Sequence, residues 1–392
     1  MIMKSCLLAI IAGCLAISCL AQVQPDVKDI EYARVDGASL KLDLYFPGIA
    51  RPPYPLVVWV HGGGWRAGNK APLPPHTATL LKRGYAVASI NYRLSGQATW
   101  PAQIHDCKGA LRWLRAHAQE YNLDSRRVGV WGSSAGGHLV AMLGTSMNVE
   151  SLEGTVGGNL AYSSDVEAVC DWYGPSDLLT MGGWHDNPDS PEAKLIGGPV
   201  QENRGKAWGA SPVAYVDGDE PPFLIMHGTK DNTVPFSQSE ELRDSLLQHG
   251  VDVIFHPVEG AGHGGKLFRT DSVLRLIHAF FDRHLKGVVN SVERDRQVAD
   301  GFRLYQNYPN PFLDNIVISW SQRAQKASRV VIYNILFRQL RTLKINARRG
   351  RNSITWDGKN DDGIPVEPGV YFYKVTSGRN SVVGRMVKLG RP

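Results

Sequence analysis

Apolar and polar positions change rhythm several times along the chain, and each change predicts an element. Residues 39–46 alternate, with Leu40, Leu42 and Leu44 on one face, as a half-buried strand does. Residues 56–60 and 85–90 are short unbroken apolar runs, expected of strands covered on both faces of a parallel sheet. A helical stretch around residues 76–82 is expected between them. Residues 104–118 have the spacing of an amphipathic helix, with Ala110, Leu111 and Leu114 towards the sheet. The next predicted strand is 127–131, and a helix opens immediately after Ser134. Later strands are predicted at 166–172, 222–227 and 251–256, and later helices at 237–248 and 272–283. This alternation predicts an open, mostly parallel α/β sheet with helices on both faces.

The pattern changes beyond Gly287. A polar stretch without periodicity, 288–302, reads as a linker. Beyond it, residues 315–320, 329–335, 353–356 and 369–376 are strand-like, with turn signals at 307–311 and 360–363. Several short strands in under a hundred residues predict a small all-β sandwich over 303–392. At the other end, Met1–Lys4 is short and basic, and an apolar run follows to Leu20. Small residues then precede Gln22, so residues 1–21 read as a signal peptide and 22–287 as the first folded domain. An alternative lipoprotein cleavage box ends at Cys14.

Composition is globular, with 43% hydrophobic and 20% charged residues. The net charge of +6 is unevenly spread. From Gly301 onward there are 16 Lys and Arg against five Asp and Glu, leaving 27 against 32 in the rest. The first domain therefore gives no reason to expect nucleic acid. After cleavage at Ala21 only Cys107 and Cys170 remain, too few for a disulfide framework and expected to be buried thiols.

The candidate chemistry lies in three loops. Gly132–Ser133–Ser134–Ala135–Gly136 stands between a predicted buried strand and a helix. A serine at such a sharp turn has an exposed hydroxyl, and the helix amino terminus favours developing negative charge, so Ser134 is the expected nucleophile. Ser133 is assigned local hydrogen bonding. His61–Gly62–Gly63–Gly64–Trp65 follows the strand 56–60. Its glycines expose main-chain donors, so Gly63 and Gly64, with Ala135, are expected to form an oxyanion hole. His61 is expected to hold that loop. A serine hydroxyl needs an imidazole to accept its proton. Asp231 and His263 follow predicted strands in the required chain order, and sheets of this kind build sites beyond the carboxyl ends of their strands. Glu259 and Asp171 are the alternative acids. His138 is expected to pack beneath its helix, and His227 and His256 to bond locally at strand ends. Trp65, Trp184 and Trp208 are candidates to line a substrate pocket, with ordinary packing the other reading. No cofactor or metal is expected: there is no dinucleotide fingerprint and no CxxC pair.

These motifs resemble a known group. HGGGW at 61–65, NYRLS at 91–95, GSSAGGH at 132–138, DWYGPSDL at 171–178, SPVAYV at 211–216, HGTKDNTVPF at 227–236 and GAGHGG at 260–265 run in the order found in bacterial esterases related to acetylxylan and feruloyl esterases. These are hormone-sensitive-lipase-like α/β-hydrolases. The resemblance implies an α/β-hydrolase fold, a Ser134–Asp231–His263 triad and an oxyanion hole of Gly63, Gly64 and Ala135. It also implies removal of acetyl or feruloyl groups from an acylated plant polysaccharide or oligosaccharide. Separately, LYQNYPNPF at 304–312, ITWDG at 354–358 and GVYFYKV at 369–375 resemble a type IX secretion sorting domain. Phe337 stands where that pattern commonly has glycine. The sorting resemblance implies secretion machinery as a partner and a secreted or cell-surface protein exported through the periplasm, without stable membrane insertion. Rival readings are a kynurenine formamidase-like amide hydrolase, a prolyl-oligopeptidase-like peptidase and a non-catalytic carbohydrate-binding protein.

Overall fold

A computed structural model describes residues 23–286 and 303–390, apart from positions 49, 148, 306, 308, 309, 311, 323, 324, 335–337 and 379. The expected signal peptide, the body of the linker and Phe337 lie outside the described residues. In chain order the first region contains β1 (Val27–Val35), β2 (Ala38–Tyr45), β3 (Tyr54–Val60), α1 (Pro75–Ala78), β4 (Ala86–Ile90) and α2 (Ala102–Ala116). Next come β5 (Leu123–Ser133), α3 (Ala135–Thr145), α4 (Glu150–Glu153), β6 (Ala168–Trp172), α5 (Pro191–Ile196) and α6 (Arg204–Gly209). It ends with β7 (Phe223–Gly228), α7 (Phe236–Gln248), β8 (Val253–Val258) and α8 (Asp271–Leu285).

Eight strands form one sheet in the order β1-β2-β4-β3-β5-β6-β7-β8. From β4 to β8 every pairing is parallel; β1 and β2 join antiparallel at one edge. Alternate residues of β3 face opposite cores, and this explains its unbroken apolar run. Leu56, Val58 and Val60 join the core beneath α2, α3 and α7, which includes Ile104, Leu139 and Leu242. Val57 and Trp59 join the other core, against Ile277, Phe280 and Phe281 of α8. Strand order reverses between β3 and β5, so the loops leaving their carboxyl ends open a crevice, the usual ligand position in such sheets.

The last region has β9 (Arg303–Leu304), β10 (Ile316–Gln322), β11 (Lys326–Tyr333), β12 (Gln339–Ala347), β13 (Gly350–Trp356), β14 (Gly369–Ser377) and β15 (Asn380–Lys388). A three-stranded sheet, β13-β10-β9, and a four-stranded sheet, β12-β11-β14-β15, are both antiparallel. Trp320, Trp356, Val330, Val375 and Met386 belong to their shared core. The molecule thus joins an α/β-hydrolase sheet to a small antiparallel sandwich. Strands β1, β12 and β15 escaped the sequence reading because polar and charged residues interrupt their apolar positions. The helical stretch expected at 76–82 is broken into α1 and a 3₁₀ turn, Leu81–Arg83. Cys107 and Cys170 are buried and free.

Candidate active site

Strand β5 ends at Ser133 and α3 begins at Ala135, so Ser134 alone makes the strand-to-helix turn. Its backbone sits at φ 57°, ψ −124°, a strained conformation for a side-chain-bearing residue. Hydrogen bonds on both sides hold it there. Ser134 N–H donates to Trp172 O at 2.8 Å, and His138 N–H donates to Ser134 O at 2.9 Å. Glycine is required on either side by close approach. A Cβ on Gly136 would lie 2.1 Å from Val60 O, and one on Gly132 would lie 2.2 Å from Gly136 O.

The loops after β7 and β8 meet at this turn. Lys230 N–H donates to Ala261 O at 2.8 Å, docking one loop on the other. His263 Nε2 lies 2.8 Å from Ser134 Oγ, and His263 Nδ1 lies 2.7 Å from Asp231 Oδ2. With Nδ1–H donating to the carboxylate, Nε2 is the free base facing the serine hydroxyl. Burial pushes the Asp231 carboxyl upward. Hydrogen bonds from His227, His263 and the Val234 N–H outweigh burial and hold it well below the usual carboxylate range. Asp231 therefore stays ionised beside the imidazole. The alternative acids stand elsewhere: Glu259 accepts from Thr229 Oγ1, and Asp171 is fully buried with Oδ1 on Gly174 N–H.

The glycine loop lies directly against the serine turn. A Cβ on Gly62 would lie 2.6 Å from Ser133 O and 3.3 Å from Ser134 Cβ. Gly63 O accepts from Arg66 and Ala67 N–H at 3.1 Å, closing a tight turn in which Gly63 and Gly64 have positive φ. Among the described residues, neither Gly63 nor Gly64 N–H has an intramolecular acceptor. Ala135 opens α3, where the first N–H groups lack partners within the helix. His61 braces the loop: Nδ1 lies 2.8 Å from Gly62 O, and its ring stacks on Tyr92 at 4.4 Å.

Ser134, His263 and the glycine loop line an open cleft of about 430 Å³. The three tryptophans diverge. Trp184 lines the cleft and is 48% exposed. Trp65 also lines it but is buried, with its indole N–H donated to His138 Nδ1 at 3.2 Å. His138 Nε2 in turn donates to Ala210 O at 2.7 Å. Burial lowers this imidazole to about 4, so it stays neutral and acts as a packing brace beneath the turn. Trp208, in α6, is not among the cleft-lining residues. It stands exposed on this short helix.

Two contributors were not legible beforehand. His227 is wholly buried, with Nε2 at 3.0 Å from Val234 O and 3.3 Å from Asp231 Oδ2, and Nδ1 at 2.7 Å from Ser239 Oγ. Two acceptors at Nε2 place the proton there, so His227 supports Asp231 from behind. Its position four residues before Asp231 was the available signal. Tyr173, at φ 45°, sets its ring 4.6 Å from that of His263; burial pushes its hydroxyl up to about 12 despite a hydrogen bond with Ser133. Nothing in the sequence distinguishes it from an ordinary core tyrosine.

A family model described as BD-FAE matches residues 42–246. The chain belongs to the BD-FAE family. Residues 306–389 match the secretion system C-terminal sorting domain, which supports secretion or a cell-surface location for this BD-FAE protein. Among solved structures, a truncated carbohydrate esterase from gut microbiota is 34% identical, covering 66% of this chain and 95% of that one, with a TM-score of 0.63. A bifunctional GH43-CE protein of Bacteroides eggerthii is 37% identical over 66% of this chain and 35% of its own, with a TM-score of 0.61. Esterase LipQ of Mycobacterium tuberculosis is 32% identical over 51% of this chain and 47% of its own length. The chain spans about half the length of such curated relatives. The α/β region is a carboxylic ester hydrolase domain of this family. Among the described residues, no helix is long and apolar enough to cross a membrane.

Proposed function

We propose that the protein is a serine esterase that removes acetyl or feruloyl groups from plant hemicellulose, xylan above all. The observation that carries the chemistry is the relay Ser134 Oγ–His263–Asp231, with links of 2.8 and 2.7 Å on the wall of the cleft. Ser134 Oγ attacks the ester carbonyl as His263 Nε2 takes its proton. Asp231 holds the imidazole's orientation and stabilises its cationic form. The N–H groups of Gly63, Gly64 and Ala135 receive the tetrahedral oxyanion. His263 then gives its proton to the departing sugar alcohol, leaving an acyl group on Ser134. Water, activated by the same imidazole, releases the acid and restores the serine.

Substrate and location rest on separate support. Two similar structures carry carbohydrate-esterase descriptions, and the sorting domain implies work outside the cell. In this reading residues 1–21 take the chain into the periplasm, 22–287 carry the chemistry, and 303–392 engage the secretion machinery after a linker at 288–302. The test is twofold. The protein should release acetate from acetylated xylan or ferulate from methyl ferulate, and an organophosphate should label Ser134, read by peptide mass spectrometry. Label on Ser133, or turnover of short acyl esters alone, would overturn the corresponding half.

A further inference from the structure

The wall of the cleft facing the glycine loop contains a second imidazole–carboxylate pair that the ester chemistry does not use. Pro191 and Glu192 open α5, and a Cβ on Gly64 would touch Pro191 Cβ at 3.3 Å, so this wall abuts the oxyanion loop. His185 and Glu192 both line the cleft, yet each side chain is only 4% exposed. Nδ1 of His185 lies 3.1 Å from Glu192 Oε1, at ion-pair distance but without hydrogen-bond alignment. Among the described residues, Glu192 Oε2 has no donor and His185 Nδ1 no aligned partner. A buried polar atom left unsatisfied costs roughly 1–3 kcal/mol. Both atoms have almost no accessible surface, so a ligand that completes them must press into the wall between His185 and Glu192 rather than rest on it.

The missing groups define that ligand. A hydroxyl both donates, as Oε2 requires, and accepts, as an imidazole N–H requires. Beside the pair, the Trp184 ring sits 3.9 Å from that of His185, and its indole is half exposed. An apolar ring face next to a carboxylate suits a pyranose, which offers a C–H face and hydroxyl edges together. We infer that His185 and Glu192 bind hydroxyls of the sugar from which the acyl group is removed, with Trp184 stacking on its ring. This rests on the carbohydrate-ester reading for its biological meaning, but it predicts sugar binding independently of turnover.

Xylotriose binding to the full chain, measured by calorimetry, tests it. Glu192→Gln and Trp184→Ala should each weaken binding about 10-fold or more, the scale of a lost hydrogen bond to a charged group or a lost ring contact. Hydrolysis of propyl acetate, which offers no hydroxyl, should fall less than xylotriose binding in both variants, since the ester carbonyl still meets Ser134 and the oxyanion loop. Absence of saturable xylotriose binding, or unchanged affinity in both variants, overturns the inference. Parallel loss of propyl acetate hydrolysis and binding in Glu192→Gln assigns Glu192 a structural role and also overturns it. Intact sugar binding without cleavage of any ester defeats the esterase reading and leaves this one standing.

Discussion

The two regions of the molecule bury different things. The α/β region encloses charged groups: Asp43, Lys70, Arg93, Asp106, Lys108, Arg112 and Asp171 are all under 9% exposed. Among the described residues of the sandwich, the buried polar side chains are uncharged: Asn307, Ser319, Gln322, Ser328 and Ser377. Backbone strain divides in the same way. Every described non-glycine residue with positive φ lies in the α/β region, including Trp65, Ser134 and Tyr173 around the cleft. A site must hold charge and unfavourable backbone in place, and only a core large enough to over-determine them can do so. The sandwich needs only to stay folded and present a surface, and apolar packing is sufficient for that.

The largest effect that can break this comparison is chemical. Ser134→Ala should lower turnover of a soluble ester by roughly 10⁶-fold, as disabling a triad serine does. A chain ending at Gly287 should keep turnover within about threefold, because Ser134, His263, Asp231 and the glycine loop all lie before it. Kinetics on a short acyl ester decide both. A large loss in the folded, shortened chain would show that the sandwich contributes to the site.

The reverse lesion belongs in the sandwich. Trp356 is fully buried, donates its indole N–H to Lys359 O at 2.7 Å, and packs against Phe312 and Tyr371 with ring centres 5.6 Å away. Trp356→Ala should cost about 3–5 kcal/mol, enough to unfold a small domain. Secretion by a host with the matching machinery should fail while ester hydrolysis persists. Protease sensitivity confined to the last 90 or so residues, read by mass spectrometry, would accompany it.

How much of each region could be read beforehand follows the same division. The buried parallel strands announce themselves because both faces are apolar, and the turn at Ser134 because only small residues fit beside Val60 O and Gly136 O. Strands β1, β12 and β15 were missed because polar and charged residues stand between their apolar ones, as Lys28, Asp29 and Glu31 do in β1. Asp231 and His263 were legible from their loops and order. His227 stood only as a histidine four residues before Asp231, a spacing that does not say its ring turns inward beneath the carboxylate, and Trp208 looked like Trp184 although only Trp184 lines the cleft. Pattern reveals what the chain requires of each position; it does not reveal which distant group a buried ring will meet.

His227 offers a sharper probe of charge burial. It touches no reacting atom and acts through Asp231. His227→Asn should lower kcat about 10-fold, the result of weakening one hydrogen bond to a buried carboxylate, with KM nearly unchanged. His227→Gln, which can reach further towards Asp231, should recover part of the loss. Equal falls in kcat for both variants, together with a lowered melting temperature, would reduce His227 to a packing residue.

The smallest effect concerns Asp171, a buried charge that the relay does not use. Burial raises its carboxyl to about 6, against the opposing hydrogen bond from Gly174 N–H, and Oδ2 has no partner among the described residues. The folded value lies above the ordinary carboxyl value of about 3.8, so the folded state holds this proton more tightly than the unfolded chain. Its stabilising contribution is complete below about 3.8 and is lost as pH rises through about 6. At pH 8 the ionised group thus costs up to about 3 kcal/mol relative to acid. Asn keeps the acceptor for Gly174 and cannot ionise, but its amide N–H groups bring a burial cost of their own. The balance predicts that Asp171→Asn stabilises the α/β region by about 1 kcal/mol at pH 8 and not at pH 4. Urea unfolding at the two pH values reads the difference. An equal change at both would mean that the carboxyl is not carrying charge in the folded protein, and the contrast between a charge-burying region and an apolar one would lose one of its supports.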